Sequence, residues 1–463
     1  MKIEQIYTGC LAQGAYFIVS NGEAAVIDPL REVEPYIQKA AKIGAKIKYV
    51  FETHFHADFV SGHLDLSEKT GADIVYGPNA NTSFKAHIAK DGEEFKLGDI
   101  VIKALHTPGH TLESTSYLLF DEDKKPTALF SGDTLFIGDV GRPDLAQKCD
   151  LTKDDLAGLL FDSLRSKIMT LPDDITVFPA HGAGSACGKN MSKETSDTLG
   201  NQKRFNYALR ADMSREEFIK EVTAGLPEPP QYFPENVKMN RDGYESIDDV
   251  LERGDQALSA EAFEAKANNT GALLLDTRDA SDFAAGYIPN SINIGMDGSF
   301  APWVGALIPD LKQNLLIITE PGKEEEVVTR LARVGYDHTI GYLNGGFESW
   351  VESGKGVDKV ESVSATEFSD LYNSGNLEVI DVRKSDEFSS GHIEGAKNLP
   401  LDYINDLMTE FPKNKTLYIH CAGGYRSMIA ASILKSRGID DVVNIEGGFG
   451  AVSKTSVPVL EGV

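Results

Sequence analysis

Short β-branched runs recur along residues 1 to about 225: YFIVS, AAVIDP, IKYVFETH, DIVIKALHTPGH, ALFSGDTLF and ITVFPAHG. Between them lie stretches of helical periodicity such as EPYIQKAAKIG. This alternation predicts a mixed α and β domain. Its histidines and aspartates cluster where apolar runs end, the places where loops at a sheet edge collect polar groups. From 225 to about 245, GLPEPPQYFPENVKMNRDGYE has four prolines and no apolar period, so it reads as a linker laid over the surface.

The remainder repeats itself. LLLDTRDASDFAAGYIPNSINI at 273–294 matches VIDVRKSDEFSSGHIEGAKNL at 379–399, and YLNGGFESW at 342–350 matches NIEGGFGAV at 444–452. These are two copies of one domain of about 100 residues. With D-x-R after a strand, G-Y/H-I before a turn, a loop and then G-G-F, both copies resemble the rhodanese fold. The division expected is 1–245, 246–356 and 357–463, in line with the roughly three domains that 463 residues allow.

Composition narrows the chemistry. A formal charge of −26 repels phosphate backbones and acidic membrane surfaces, so no nucleic-acid partner is expected. The N-terminus carries Glu4 where a signal peptide needs an unbroken apolar stretch, and no run of about 18 apolar residues follows, so no membrane association is expected. Four cysteines, at 10, 149, 187 and 421, are too few for a disulfide scaffold and point to a reducing, cytoplasmic setting. Each thiol is to be read as chemistry or packing.

In the second copy the strand TLYIH runs into C-A-G-G-Y-R, Cys421 to Arg426, and then into SMIAASILKSRG, which has helical period. A strand, a glycine-bearing loop and a helix start make an anion cradle, in which Arg426 would help hold a persulfide on Cys421. The first copy has T-E-P-G-K-E at 319–324, which sets Glu320 opposite Cys421 and Glu325 opposite Arg426. No sulfur can be carried there, so this copy is expected to be inactive and to act as a spacer or docking surface.

Residues 53–58 read THFHAD, followed by TPGHT at 107–111, SGDTLF at 131–136 and PAHGAGSACGKN at 179–190. His54, His56, Asp58, His110, Asp133 and His181 are therefore the metal-ligand candidates. The set and its order resemble the metallo-β-lactamase superfamily, which implies an αββα sandwich at the N-terminus and an α/β multidomain chain as a whole. In that superfamily a histidine follows HxHxD; here Phe59 takes its place. A second ion would be left with Asp58, His181 and a shared Asp133, so one ion is the simpler expectation.

Among one-metal members the resemblance is to the persulfide dioxygenases. It implies one Fe(II) per chain on His54, His110 and Asp133, with open positions for dioxygen and a thiolate-type sulfur. His56, Asp58 and His181 would then stand around the ion without coordinating it. Arg142 and Lys189, in loops next to these motifs, suit the carboxylates of a thiol cofactor, surface ion pairing being the alternative. Cys187 is either a sulfur acceptor near the iron or a packed thiol. The implied activity oxidises a glutathione, coenzyme A or bacillithiol persulfide to sulfite and thiol, joined to thiosulfate and sulfite chemistry at Cys421, in a homo-oligomer. Two alternatives stay open: a dizinc thioesterase of the glyoxalase II type, and a sulfur-relay or sensing protein with a structural metal.

Overall fold

The computed structural model describes residues 1–145 and 151–461, leaving Cys149 outside the described residues. The chain forms two compact units, Met1–Ile247 with Ala332–Gly335, and Asp248–Leu331 with Tyr336–Val463.

In the first unit, two six-stranded sheets face each other. Lys2–Thr8, Gln13–Ser20 and Glu23–Ile27 pair antiparallel, and Lys46–Phe51, Asp73–Tyr76 and His87–Ile88 extend that sheet in parallel. The other sheet runs Asp197–Thr198, Thr176–Pro179, Pro126–Gly132, Thr115–Phe120, Ile100–His106, Glu94–Leu97. Alternation along Gln13–Ser20 shows why the sheets stack. Tyr16 and Ile18 enter the core between the sheets with Phe51, Tyr117 and Phe130, while Ala15 and Phe17 face outward onto Tyr36 and Leu66. Those two belong to the helices Glu34–Lys42 and His63–Thr70, which cover that outer face. Leu160 of the helix Lys153–Ser163 and Phe218 of Arg215–Thr223 belong to a shell covering the second sheet. The result is the expected αββα sandwich, with both sheet faces buried.

The segment expected to be a surface linker is one only in its first half: residues 226–230 have no regular structure and lie exposed or half-buried, but a helix follows. Phe233–Asp242 is a helix with proline in its first turn, where the missing N–H costs nothing. Its buried face is Phe233, Asn236 and Asn240, spaced at helical period but mostly polar, so no apolar rhythm betrayed it.

The second unit holds two five-stranded parallel sheets of the same order. One runs Ala257–Leu258, Thr339–Leu343, Leu315–Ile318, Leu273–Asp276, Ile292–Asn293; the other Glu361–Val363, Val442–Ile445, Leu417–His420, Glu378–Asp381, Lys397–Asn398. The repeated D-x-R is a structural staple. Arg278 and Arg383 bind Asp276 and Asp381 through two guanidinium nitrogens, donate to the carbonyls of Gly286 and Gly391, and lie over the rings of Phe347 and Phe449.

Strand register corrects the alignment of the two loops. Asp276 pairs with Ile318 as Asp381 pairs with His420, so Thr319, not Glu320, stands opposite Cys421. At the far ends of the following helices, Tyr336 N–H donates to the Leu331 carbonyl as Ile439 N–H does to Leu434. Counting back from there sets Lys323, rather than Glu325, opposite Arg426. The loops differ in length, which residue-by-residue alignment could not see.

Candidate metal centre and sulfur-transfer loop

Every motif histidine of the first unit sits just past a strand or in the loops between them, as its sequence position implied. His54 and His110 are 2% and 1% exposed, and Asp133 2%, so their polar atoms need partners inside the protein. Proton placement can be worked out. Asp28 accepts hydrogen bonds from Thr53 N–H at 2.8 Å and from Thr53 Oγ1 at 2.9 Å. With its proton given to Asp28, Thr53 Oγ1 accepts from His54 Nδ1 at 2.9 Å. His110 Nδ1 lies 2.8 Å from the Arg142 carbonyl, which can only accept. Both imidazoles therefore carry their proton on Nδ1 and turn a bare Nε2 inward.

Those lone pairs converge on Asp133. Its Oδ2 is buried without a hydrogen-bond partner, 3.4 Å from His110 Nε2 and 3.8 Å from His54 Nε2. Burial, then the neighbouring His56, holds His54 well below the ordinary histidine range, which keeps its Nε2 bare. Three acceptors facing one another with no proton between them are satisfied by a cation. The donor set of two neutral imidazoles and a carboxylate suits a first-row divalent ion.

The other three candidates form a second triad. His56, Asp58 and His181 bring donor atoms within 4.8 Å of one another. His181, however, is already used. Its Nδ1 is 2.8 Å from Asp133 Oδ1 and its Nε2 is 2.8 Å from Asp58 Oδ2. Burial opposes protonation, but the two carboxylates outweigh it and hold His181 well above the usual range. His181 thus stands between the two carboxylates, its Nδ1 hydrogen-bonded to Asp133 and its Nε2 within ion-pair distance of Asp58 without a hydrogen bond to it. Phe59, fully buried, lies against the His56 ring at 4.4 Å and closes that side.

His56 Nε2 points away, to within 3.1 Å of Asp28 Oδ1 and 3.6 Å of Glu52 Oε2. Asp28, Glu52 and the helix residue Asn240 were not singled out from sequence. Asn240 donates to the carbonyls of His56 and Phe59, both at 2.8 Å, and accepts from Ser61 N–H at 2.9 Å. Asp28 could have been suspected, since it ends a strand in AAVIDP and holds a left-handed φ of 49°.

Arg142 reaches the site through its carbonyl. Its guanidinium is 2% exposed and bound to both oxygens of Asp144 at 2.7 Å and to the carbonyls of Ala186 and Pro227. Lys189 Nζ donates to the carbonyls of Glu221 and Ala224, a tether along the unit's own surface. Cys187 is 1% exposed, and burial together with the charges of Asp58 and Asp133 pushes its thiol well above the ordinary value. That environment favours the neutral SH.

At the other end, the strand Leu417–His420 leads to Cys421 and the helix Tyr425–Ser436 follows. Gly424, at φ 116°, lets its own N–H turn back to Cys421 Sγ at 3.1 Å. The G-G-F motif closes the loop from behind. Phe449 N–H donates to the Cys421 carbonyl at 2.7 Å and Gly450 N–H to that of Ala422 at 3.1 Å. A Cβ on Gly448 would come within 2.4 Å of the Cys421 carbonyl oxygen. Arg426 is paired through both nitrogens with Glu387, at 2.6 and 2.8 Å, so its charge reaches the loop already balanced.

Residues 8–181 match the Metallo-beta-lactamase superfamily, and residues 259–353 and 364–455 each match the Rhodanese-like domain. The chain is 31% identical over 212 residues to a persulfide dioxygenase, ETHE1, of Homo sapiens, covering 45% of this chain and 75% of that protein. It is 31% identical over 205 residues to a probable hydroxyacylglutathione hydrolase, glo2, of Schizosaccharomyces pombe, covering 39% of this chain and 75% of that one. Among solved structures, a metallo-beta-lactamase from Staphylococcus aureus subsp. aureus COL aligns at TM-score 0.65 and 32% identity, over 74% of this chain and 98% of that one. From motif, fold and relatives together, this chain belongs to the metallo-beta-lactamase superfamily, as a fusion with two rhodanese-like domains.

Proposed function

We propose that the chain is a two-site sulfur enzyme: a persulfide dioxygenase at the N-terminal centre and a sulfurtransferase at Cys421. The observation that carries the first part is the partnerless Asp133 Oδ2 flanked by two proton-free imidazole nitrogens. His54, His110 and Asp133 would hold one Fe(II), which when bound supplies the activation of dioxygen toward a reduced sulfur. The protein's own part is positional. Thr53 and the Arg142 carbonyl orient the two imidazoles. Phe59, Phe136 and His181 keep the neighbouring volume closed to a second ion. The net reaction consumes a persulfide RSSH, dioxygen and water, and yields RSH, sulfite and two protons.

At the second site Cys421 would carry the outer sulfur as a persulfide, with the Gly424 N–H on the inner sulfur. Sulfite attacks the outer sulfur, the S–S bond to Cys421 breaks, and thiosulfate leaves with the cysteine thiolate restored. Glutathione, coenzyme A and bacillithiol persulfides are the candidate substrates.

A two-zinc thioesterase is the competing reading, favoured by the second triad His56, Asp58 and His181. One experiment separates them: anaerobic loading with Fe(II), metal counting, and oxygen uptake with each persulfide in wild type, Cys421→Ser and His110→Ala. The expectation is one iron per chain, oxygen uptake kept in Cys421→Ser without thiosulfate exchange, and uptake lost in His110→Ala with exchange kept. Two zinc ions per chain with thioester hydrolysis and no oxygen uptake would overturn it.

A further inference from the structure

The inactive rhodanese-like repeat touches Tyr425, the residue that follows the Cys421–Gly424 turn of the active one. The tyrosine hydroxyl donates to the Gly295 carbonyl at 2.8 Å. A Cβ on Gly298 would lie 2.3 to 2.7 Å from three carbons of the Tyr425 ring, and one on Gly295 would lie 3.5 Å away. Neither glycine has a left-handed backbone, so it is space, and not conformation, that the missing side chains provide.

The segment holding these glycines is anchored on its own side. Asn293 Nδ2 donates to the carbonyls of Asp276 and Arg278, and Arg330 donates to that of Met296 at 3.0 Å. It is fixed to the other repeat as well, since Asn293 N–H donates at 2.9 Å to Ser432 Oγ, two turns along the helix that Tyr425 begins. Burial pushes the Tyr425 phenol up, so its hydroxyl stays a donor to the carbonyl.

Tyr425 stands between the two residues that shape the loop. Gly424 aims its N–H at Cys421 Sγ, and Arg426 is bound through both nitrogens to Glu387. We infer that the inactive repeat is a positioning element of the sulfur-transfer site: by gripping Tyr425 with the Gly295 carbonyl and the bare edge of Gly298, it holds the Gly424 N–H on the Cys421 sulfur. An N–H donor is worth most to a thiolate or a persulfide anion, and little once misaligned, so loss of the grip falls on the reactive form of Cys421. This inference rests on the sulfurtransferase reading of Cys421.

The test uses the full chain with Gly298→Ala, Tyr425→Phe, Tyr425→Ala and the Gly298→Ala/Tyr425→Ala double variant. Two quantities are read: the pH profile of Cys421 alkylation by iodoacetamide, followed by mass spectrometry, and kcat and KM for thiosulfate-to-cyanide sulfur transfer. Gly298→Ala is expected to move the alkylation midpoint to higher pH and to lower kcat on the order of tenfold with little change in KM, because the fault is in positioning. Tyr425→Phe should shift both less, and the Gly298→Ala effect should vanish once the ring is gone. An unchanged alkylation midpoint in Gly298→Ala and Tyr425→Phe, or an equal Gly298→Ala loss with and without the ring, overturns the inference. Should Gly298→Ala fail to fold, the alkylation midpoint of Tyr425→Phe alone decides. A wild-type chain with no sulfur transfer refutes the sulfurtransferase reading instead, while the alkylation profiles still judge the grip.

Discussion

Phe59 lies tilted against His56, ring centroids 4.4 Å apart and planes 36° from parallel. A phenyl ring follows the HxHxD run here, and it is fully buried. Replacing it tests the one-ion expectation directly. Phe59→His should raise bound metal from one toward two ions per chain, with His181 released from its two carboxylates to serve as a ligand, and oxygen uptake should fall. Metal counting after loading with Zn(II) or Fe(II) checks it; a stoichiometry still at one would place the block elsewhere.

Asn240 gives a second prediction. Removing its side chain leaves Ser61 N–H buried without an acceptor, at about 1–3 kcal/mol. It also frees the His56 and Phe59 carbonyls that shape the loop beside His54. Asn240→Ala should therefore weaken iron binding about 10- to 100-fold, as loss of groups that orient ligands does. Competition with a chelator measures it, and Asn240→Asp, which keeps the acceptor for Ser61, should recover part of the stability.

Acid should act at the other site through Glu387. The hydrogen bond from Arg426 is the main cause that holds its carboxyl below the ordinary glutamate value, against partial burial, with Arg383 adding to the lowering. Arg426 and Arg383 face it as cations, the Lys384 backbone N–H donates to it at 3.2 Å, and Asp402 lies near Arg426. A depressed folded-state pKa contributes stability above the unfolded value, about 4.3, that is lost as pH falls through the folded value. The melting temperature of wild type should drop across that acid window more than that of Glu387→Gln. Parallel curves would show that the pair contributes nothing there.

Gly448 makes a fourth test. At φ 54°, and with the Cys421 carbonyl oxygen 2.4 Å from any Cβ, Gly448→Ala combines backbone strain with a clash against main chain that cannot yield. A cost on the order of 1–3 kcal/mol for the strain alone is expected, with loss of sulfur transfer and oxygen uptake retained. Denaturant unfolding and the two assays measure this. Transfer at the wild-type rate would show that the loop tolerates a different closure.

Much of this was legible in the chain because apolar alternation and motif order are local. YFIVS, IKYVFETH and ITVFPAHG became strands, and the histidines that follow them came together. What escaped detection was set by other means. Asn240 lies on a helix whose buried face is one phenyl ring and two amides, so the apolar periodicity that marks a helix was absent. Arg142 looked like a substrate cation, yet it is the carbonyl of that residue that meets His110, and a backbone atom leaves no trace in residue type. Thr319 was passed over for Glu320 because strand register, which fixes the true counterpart of Cys421, is decided by pairing with Asp276 and not by counting letters.

The helix Phe233–Asp242 lies beyond the 8–181 stretch that matches the superfamily, and yet its amide closes the histidine loop. A fragment trimmed to the recognised stretch would keep His54, His110 and Asp133 and lose the brace behind them. Any transplant of this centre onto another scaffold has to carry that distant turn as baggage.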